Sequence, residues 1–258
     1  MVKYYGGKGR FGSKIAYHLN NFISQHNNVI YIEPFCGALG VLNNIDISKC
    51  DLVILNDISD ISDLWNHSIF KSPFSVRLDS FEKFKSDWYY YKAFPEYTVS
   101  SMYAYFFSWG GIKFSSPLNS IEQVVNQYNN YINIVNKLTP FREKINFHKK
   151  DYFDFLDFNF NPNFTYIIYF DPPYDNTFWD KNWKATNYSK KQLANMIDHI
   201  NQLPNVFIFL SELDEIDYID PNILYVVDYF HRNSKYFNHT KHDNQKVLRK
   251  ETLYFIMK

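Results

Sequence analysis

The chain has 258 residues, 46% of them hydrophobic and 21% charged, which suits one large globular domain, or one domain carrying an insertion, and excludes wholesale disorder. Its 27 basic and 27 acidic side chains cancel, so no global field announces a polyanionic partner, and no apolar run approaches the ~20 residues of a transmembrane helix. The N-terminus lacks the apolar core of a signal peptide, and two cysteines, Cys36 and Cys50, make neither a disulfide framework nor a metal site, so a cytoplasmic, reducing setting is expected.

In chain order, the first expected strand is Val29–Phe35, a β-branched run ending in the turn residues Cys36-Gly37-Ala38-Leu39-Gly40. Val41–Ile47 has room for a short helix, and Leu52–Leu55 is a second strand ending at Asn56-Asp57. Ser120 followed by Gln123 fits a capping box. Ile121, Val124, Val125, Tyr128, Ile132 and Val135 then recur at helical spacing, so a helix is expected over 121–138. Tyr166–Phe170 is a third strand, running into Asp171-Pro172-Pro173-Tyr174. Ser189–Leu203 is helical, Val206–Leu210 a fourth strand, and Ile223–Tyr229 and Leu253–Met257 two more, the last able to pair antiparallel at an edge. Strands alternating with helices imply a three-layer α/β fold with a mainly parallel sheet. The aromatic-rich stretch 71–144 reads as a largely helical insertion between the two parts of that fold, 1–70 and 145–258.

Open α/β sheets bind ligands at the carboxyl ends of their strands. The first strand ends in Glu33-Pro34-Phe35-Cys36-Gly37-Ala38-Leu39-Gly40, and Asp57 follows Gly37 by 20 positions at the end of the second. Glycines that admit a ligand to the backbone, with an acid ~20 residues on for a ribose hydroxyl, suit an adenosine-containing cofactor. The three-glycine pyrophosphate pattern is missing, and Glu33-Pro34 suits no phosphate, which disfavours NAD and favours a cofactor with a charged amino-acid end. At the third strand's end, two prolines fix φ and hold the Asp171 side chain and the Pro172 carbonyl rigidly.

Asp171-Pro172-Pro173-Tyr174 after a strand, preceded by EPFCGALG and ILNDIS, resembles the Dam-type DNA adenine methyltransferases. Lys3-Tyr4-Tyr5-Gly6-Gly7-Lys8 is similar to that family's opening segment, and Arg232-x-Ser234 with Lys250-Glu251-Thr252-Leu253 is loosely similar to its C-terminal pattern. The likeness covers about 1–65 and 145–258. It implies a Rossmann-like sheet binding S-adenosylmethionine and a target-recognition insertion at 71–144. It further implies methyl transfer to the amino group of an adenine flipped out of double-stranded DNA. Asp171 and the Pro172 carbonyl would accept the amino N–H groups, and Tyr174 would stack on the base. The resemblance also puts Tyr4 and Lys8 beside the methionine end of the cofactor, Phe35 and Gly37 in its loop, Asp57 on its ribose, and Asp151-Tyr152 near its adenine.

DNA contact is expected to be local. Residues 1–30 carry Lys3, Lys8, Arg10 and Lys14 with no acid, and the tail from 231 is mostly basic around Arg232 and Lys250, so the two ends could form one basic face. In the insertion, Phe106–Leu118 stands where the family carries a recognition hairpin, but it looks truncated around Gly110-Gly111 with Lys113 as its one base-reading cation, so the family's GATC target is not carried over. A cytosine amino-methyltransferase, a non-catalytic DNA-binding subunit and a nicotinamide-dependent dehydrogenase are the rival readings. The expected assembly is a monomer or weak dimer without membrane association, in a bacterial cytoplasm or a virus-infected cell, and a cognate restriction endonuclease is a partner the resemblance allows.

Overall fold

The computed structural model describes residues 8–258 apart from 10, 112, 158, 173–189, 214, 215, 217 and 236–245, and gives the backbone alone at 110, 213, 231–235 and 246–249. Tyr4, Lys3, Arg10 and Tyr174 therefore lie outside the described residues, as does the side chain of Arg232.

Seven strands form one sheet in the order β3-β2-β1-β4-β5-β7-β6. β1 (Val29–Glu33), β2 (Leu52–Asn56), β3 (Ile145–His148), β4 (Thr165–Phe170) and β5 (Val206–Leu213) run parallel. β6 (Leu224–Lys235) and β7 (Lys246–Ile256) are antiparallel to each other, and β7 is antiparallel to β5. The expected Rossmann-like α/β sheet is thus present with one reversed strand. Two expectations change. β7 lies inside the sheet, hydrogen-bonded on both sides, and β6 is the edge. β3, four residues long, escapes the sequence pattern and pairs with β2.

Side-chain parity divides the core. Val29 and Tyr31 of β1, Val53 and Leu55 of β2, and Ile167 and Tyr169 of β4 pack under α1 (Gly12–Ile23), α2 (Ile61–Phe70) and, beyond α3 (Phe81–Ala93), α4 (Ile121–Leu138). Ile30, Ile32, Ile168 and Phe170 face the other way, toward α5 (Tyr152–Phe155) and α6 (Lys190–Asn201). Burial on both faces explains why β1 and β4 read as continuous apolar runs rather than alternating ones.

The Ser120 hydroxyl accepts the Gln123 N–H at 3.3 Å, and α4 spans the expected residues. Its buried stripe is turned slightly from the expected one: Val124 and Val135 are buried, but Tyr131 and Ile134 take the places expected for Tyr128 and Ile132, which are half-buried. In place of a short helix over Val41–Ile47 the chain forms two 3-10 turns, Leu42–Asn44, ended by the extended Ile45, and Ile47–Lys49, capped by Asp46. The segment 71–144 is fused to the sheet. Phe84 and Trp88 of α3, and Met102–Phe107, belong to the same apolar cluster as Ile15 and Tyr31. Met102–Phe106 is a single π-helical turn, and Ser108 bridges Pro117 in a short antiparallel closure.

Candidate active site

Sheet order reverses between β1 and β4, and the crevice at such a switch point is where open α/β sheets take ligands. β1 ends at Glu33 and enters the glycine loop; β4 ends at Phe170 and delivers Asp171. The topology therefore brings together the two motifs that stand 138 positions apart in the chain.

The glycine loop is held from three sides. Gly37 adopts φ 47° and Leu39 φ 58°, left-handed values that glycine adopts freely and leucine does not. The Gly37 N–H donates to Asp57 Oδ2 at 2.9 Å, and the Trp65 indole N–H donates to the Gly37 carbonyl at 3.0 Å. Asn56, 1% exposed, donates to the Pro34 and Lys150 carbonyls at 3.0 Å each and accepts the Lys150 N–H, clasping the loop to the exit of β3. Asp57 Oδ1 also accepts from the Ser59 N–H at 2.9 Å and the Ser59 hydroxyl at 2.6 Å. Burial pushes the Asp57 carboxyl up, against hydrogen bonds from Ser59 and Gly37 that pull it down.

At the switch point, the Lys8 ammonium pairs with Asp171 Oδ1 and lies 3.0 Å from Glu251 Oε1 on β7. Its side chain is 3% exposed, that of Glu251 5% and that of Asp171 14%. Burial works against the ammonium, but the Asp171 and Glu251 carboxylates outweigh it, and its pKa is raised. Glu33, 2% exposed, accepts the Tyr31 hydroxyl proton at 2.7 Å. Burial, opposed by that hydrogen bond and reinforced by Asp171, raises its carboxyl to about 8. Tyr169 faces the same group, with its hydroxyl 2.8 Å from that of Ser211.

Phe35 packs against Tyr152 at 5.3 Å between ring centroids, with Phe170 behind it at 6.4 Å. Asp151 caps α5, accepting the Phe153 N–H at 3.0 Å. Pro172 is buried beside Asp171. The structure thus brings Lys8, Phe35, Gly37, Asp57, Asp171 and Pro172 to one edge of the sheet. Lys8 does not contribute to a basic surface as the N-terminal charge run suggested, because two carboxylates bury it. Lys113 lies away from this cluster and pairs with Asp60 at 3.0 Å, while Lys149 holds Asp60 and Asp63 at 2.8 and 2.6 Å. Glu251, Asn56 and Trp65 are site residues that sequence reasoning did not single out. For Glu251 the available signal is its place in the closing Lys250–Leu253 segment, and for Asn56 its place in ILNDIS beside Asp57; for Trp65 there is none.

Acceptors at Asp57, two packed aromatic rings at Phe35 and Tyr152, and carboxylates at Asp171 and Glu251 suit a ligand with hydroxyls, a planar ring and a positive charge. A dinucleotide pyrophosphate would meet Glu33 where it needs N–H donors.

No family model matches the chain, and no curated protein matches it. Among solved structures it is similar to an inferred methylase of Haemophilus influenzae, at 12% identity over 98% of this chain and 91% of that one, with a TM-score of 0.41. An inferred methyltransferase of Escherichia coli matches at 10% identity over 95% and 87%, TM-score 0.41. An inferred class I S-adenosylmethionine-dependent methyltransferase of Listeria monocytogenes matches at 11% over 96% of this chain but 59% of that one, TM-score 0.42. At this distance a likeness assigns no residue a role.

Proposed function

We propose that this chain is a DNA methyltransferase that transfers the methyl group of S-adenosylmethionine to the exocyclic amino nitrogen of an adenine in double-stranded DNA. The observation that carries the reading is the pairing of Lys8 with Asp171 at the switch point, beside a glycine loop tied to Asp57. Asp57 offers a carboxylate to ribose hydroxyls, Phe35 and Tyr152 a face for adenine, and Asp171 and Glu251 negative charge for a sulfonium. When bound, S-adenosylmethionine supplies an electrophilic methyl group.

The target nitrogen is a poor nucleophile because its lone pair is delocalised into the ring. The Asp171 carboxylate and the Pro172 carbonyl accept its two N–H bonds and turn the lone pair toward the methyl group. Alignment and electrostatics do most of the work. Lys8 on Oδ1 keeps Asp171 ionised and fixes the direction in which Oδ2 points. The nitrogen gives up one proton as the new N–C bond forms. Because that amino group is paired in a duplex, the base is extruded before it reaches Asp171, and Tyr174 stacks on it at about 1–3 kcal/mol.

Incubation with methyl-tritiated S-adenosylmethionine and unmethylated duplex DNA, followed by digestion to nucleosides, tests the reading. Label is expected in N6-methyl-2′-deoxyadenosine. Label in N4-methyl-2′-deoxycytidine would move the assignment to cytosine, and unlabelled DNA would overturn it.

A further inference from the structure

The insertion reaches the glycine loop through a single turn. The Phe107 N–H donates to the Met102 carbonyl at 3.1 Å, five positions back, so Met102–Phe106 is one widened π turn with all five residues buried. Such turns add a residue to a helical path, re-aim the side chains that follow, and recur at functional sites. This one is fixed along its length. The Ser101 hydroxyl donates to the Asp60 carbonyl at 3.2 Å, the Phe114 N–H to the Ala104 carbonyl at 2.9 Å, and the Ser108 hydroxyl to the Tyr103 carbonyl at 2.8 Å.

The last two residues of the turn reach two supports of the loop. Phe106 packs on Trp65 at 5.5 Å between ring centroids, and the Trp65 indole is the group that holds the Gly37 carbonyl. Tyr105, 5% exposed, brings its hydroxyl to that of Ser59 in a hydrogen bond, in the field of the Asp60 and Asp57 carboxylates. Burial first, then those two carboxylates, push the phenol well above its ordinary range, so the hydroxyl keeps its proton and donates. The Ser59 hydroxyl has one proton and gives it to Asp57 Oδ1 at 2.6 Å, so toward Tyr105 it accepts. The result is a directed chain, phenol to serine hydroxyl to carboxylate, in which each bond polarises the next.

We propose that Tyr105 is a positioning residue for the cofactor: through Ser59 it fixes the Asp57 carboxylate in the orientation that takes the ribose hydroxyls. This rests on the methyltransferase reading above, in which Asp57 faces the ribose. Of the donors on Asp57, the Ser59 N–H and the Gly37 N–H are backbone groups that the fold itself holds. The Ser59 hydroxyl is a rotor, and donation to Asp57 together with acceptance from Tyr105 leaves it one setting. A residue of the insertion then governs how firmly the carboxyl edge of the sheet grips its cofactor.

Calorimetric titration of the full chain with S-adenosylhomocysteine, and with its analogue lacking both ribose hydroxyls, is the test, on the native protein, Tyr105→Phe and Ser59→Ala. The native protein should bind the complete ligand about tenfold more tightly than the analogue, or better. Tyr105→Phe removes one oxygen and keeps the buried ring, so the fold stands. It should weaken the complete ligand about three- to tenfold and leave the analogue unchanged. Ser59→Ala should do the same, and Tyr105→Phe added to it should cost nothing further, since both act through one chain. A merely structural role would weaken the two ligands alike, and that result in Tyr105→Phe overturns the proposal, as does additive loss in the double variant. Equal binding of both ligands by the native protein overturns it too, while leaving methyl transfer standing. A native protein that binds neither ligand overturns the methyltransferase reading itself.

Discussion

Gly12 approaches Gly40 so closely that a Cβ on Gly12 would stand 2.1 Å from the Gly40 carbonyl oxygen. Gly40 in turn lies against the backbone of Lys8, where a Cβ would meet the Lys8 nitrogen at 3.2 Å. The start of α1, the glycine loop and the residue that holds Asp171 are thus stacked backbone on backbone.

Gly12→Ala should therefore disturb the site although it is a favourable change for a helix. Ala gains about 1 kcal/mol over Gly in helix propensity, but the steric shift costs about 1–3 kcal/mol and displaces the loop. Urea unfolding should show a net loss, and S-adenosylmethionine titration a weaker affinity. Gly40→Ala, with a milder contact, should do less.

Lys8→Met takes from the buried Asp171 and Glu251 the ammonium that they share. Breaking a buried pair in this way costs about 3–5 kcal/mol. Protonation of the carboxyls relieves part of that cost, so the loss is small in acid and grows as pH rises. The gap between variant and native protein in urea melts should widen from pH 4 to pH 7; a gap independent of pH would contradict this arrangement.

Glu33 gives a pH dependence of its own. Its carboxyl is raised from 4.5 to about 8, so the folded protein retains a proton that the unfolded chain releases. That contribution is fully favourable below pH 4.5 and is lost as pH climbs toward 8, at up to about 1.4 kcal/mol per pH unit. Glu33→Gln removes the titration. The variant should gain on the native protein between pH 5 and pH 8 in chemical denaturation, and parallel curves would show that Glu33 ionises normally.

Asp171→Ala should abolish methyl transfer and leave the fold intact, because Lys8 keeps Glu251 as its counter-charge. Tyr174→Ala should retain cofactor binding and lose most activity, whereas Tyr174→Phe or Tyr174→Trp should keep much of it, since stacking needs the ring. Single-turnover rates with melting temperatures separate these outcomes from a rigid turn that tolerates Asp171→Ala.

Lys113 is half-exposed and paired with Asp60, which also holds Lys149. Lys113→Ala should change stability by less than about 1 kcal/mol, the scale of exposed pairs. If the insertion meets DNA here, a phosphate competes with Asp60 for the ammonium, and the salt slope of DNA binding should fall by about 1 in the variant. An unchanged slope would place the phosphate contacts elsewhere.

What the sequence determined by itself is what short-range chemistry controls. The β-branched runs of β1, β2, β4 and β5 and the Ser120 cap and extent of α4 were legible, because pleating and capping act within a few residues. The 20-residue spacing of Gly37 and Asp57 was legible too, and their hydrogen bond realises it. Only the tertiary structure decided which charges meet. Lys8 finds Asp171 across 163 positions, and Glu251 across nearly the whole chain, because β7 threads between β5 and β6 and β4 pairs with β1. Sheet order and register select a buried ion's partners, and neither is written in the residues around the ion. The same reason hid β3, whose four residues become a strand only where β2 offers a free edge, and the backbone contact of Gly12 with Gly40, which depends on how α1 meets the loop.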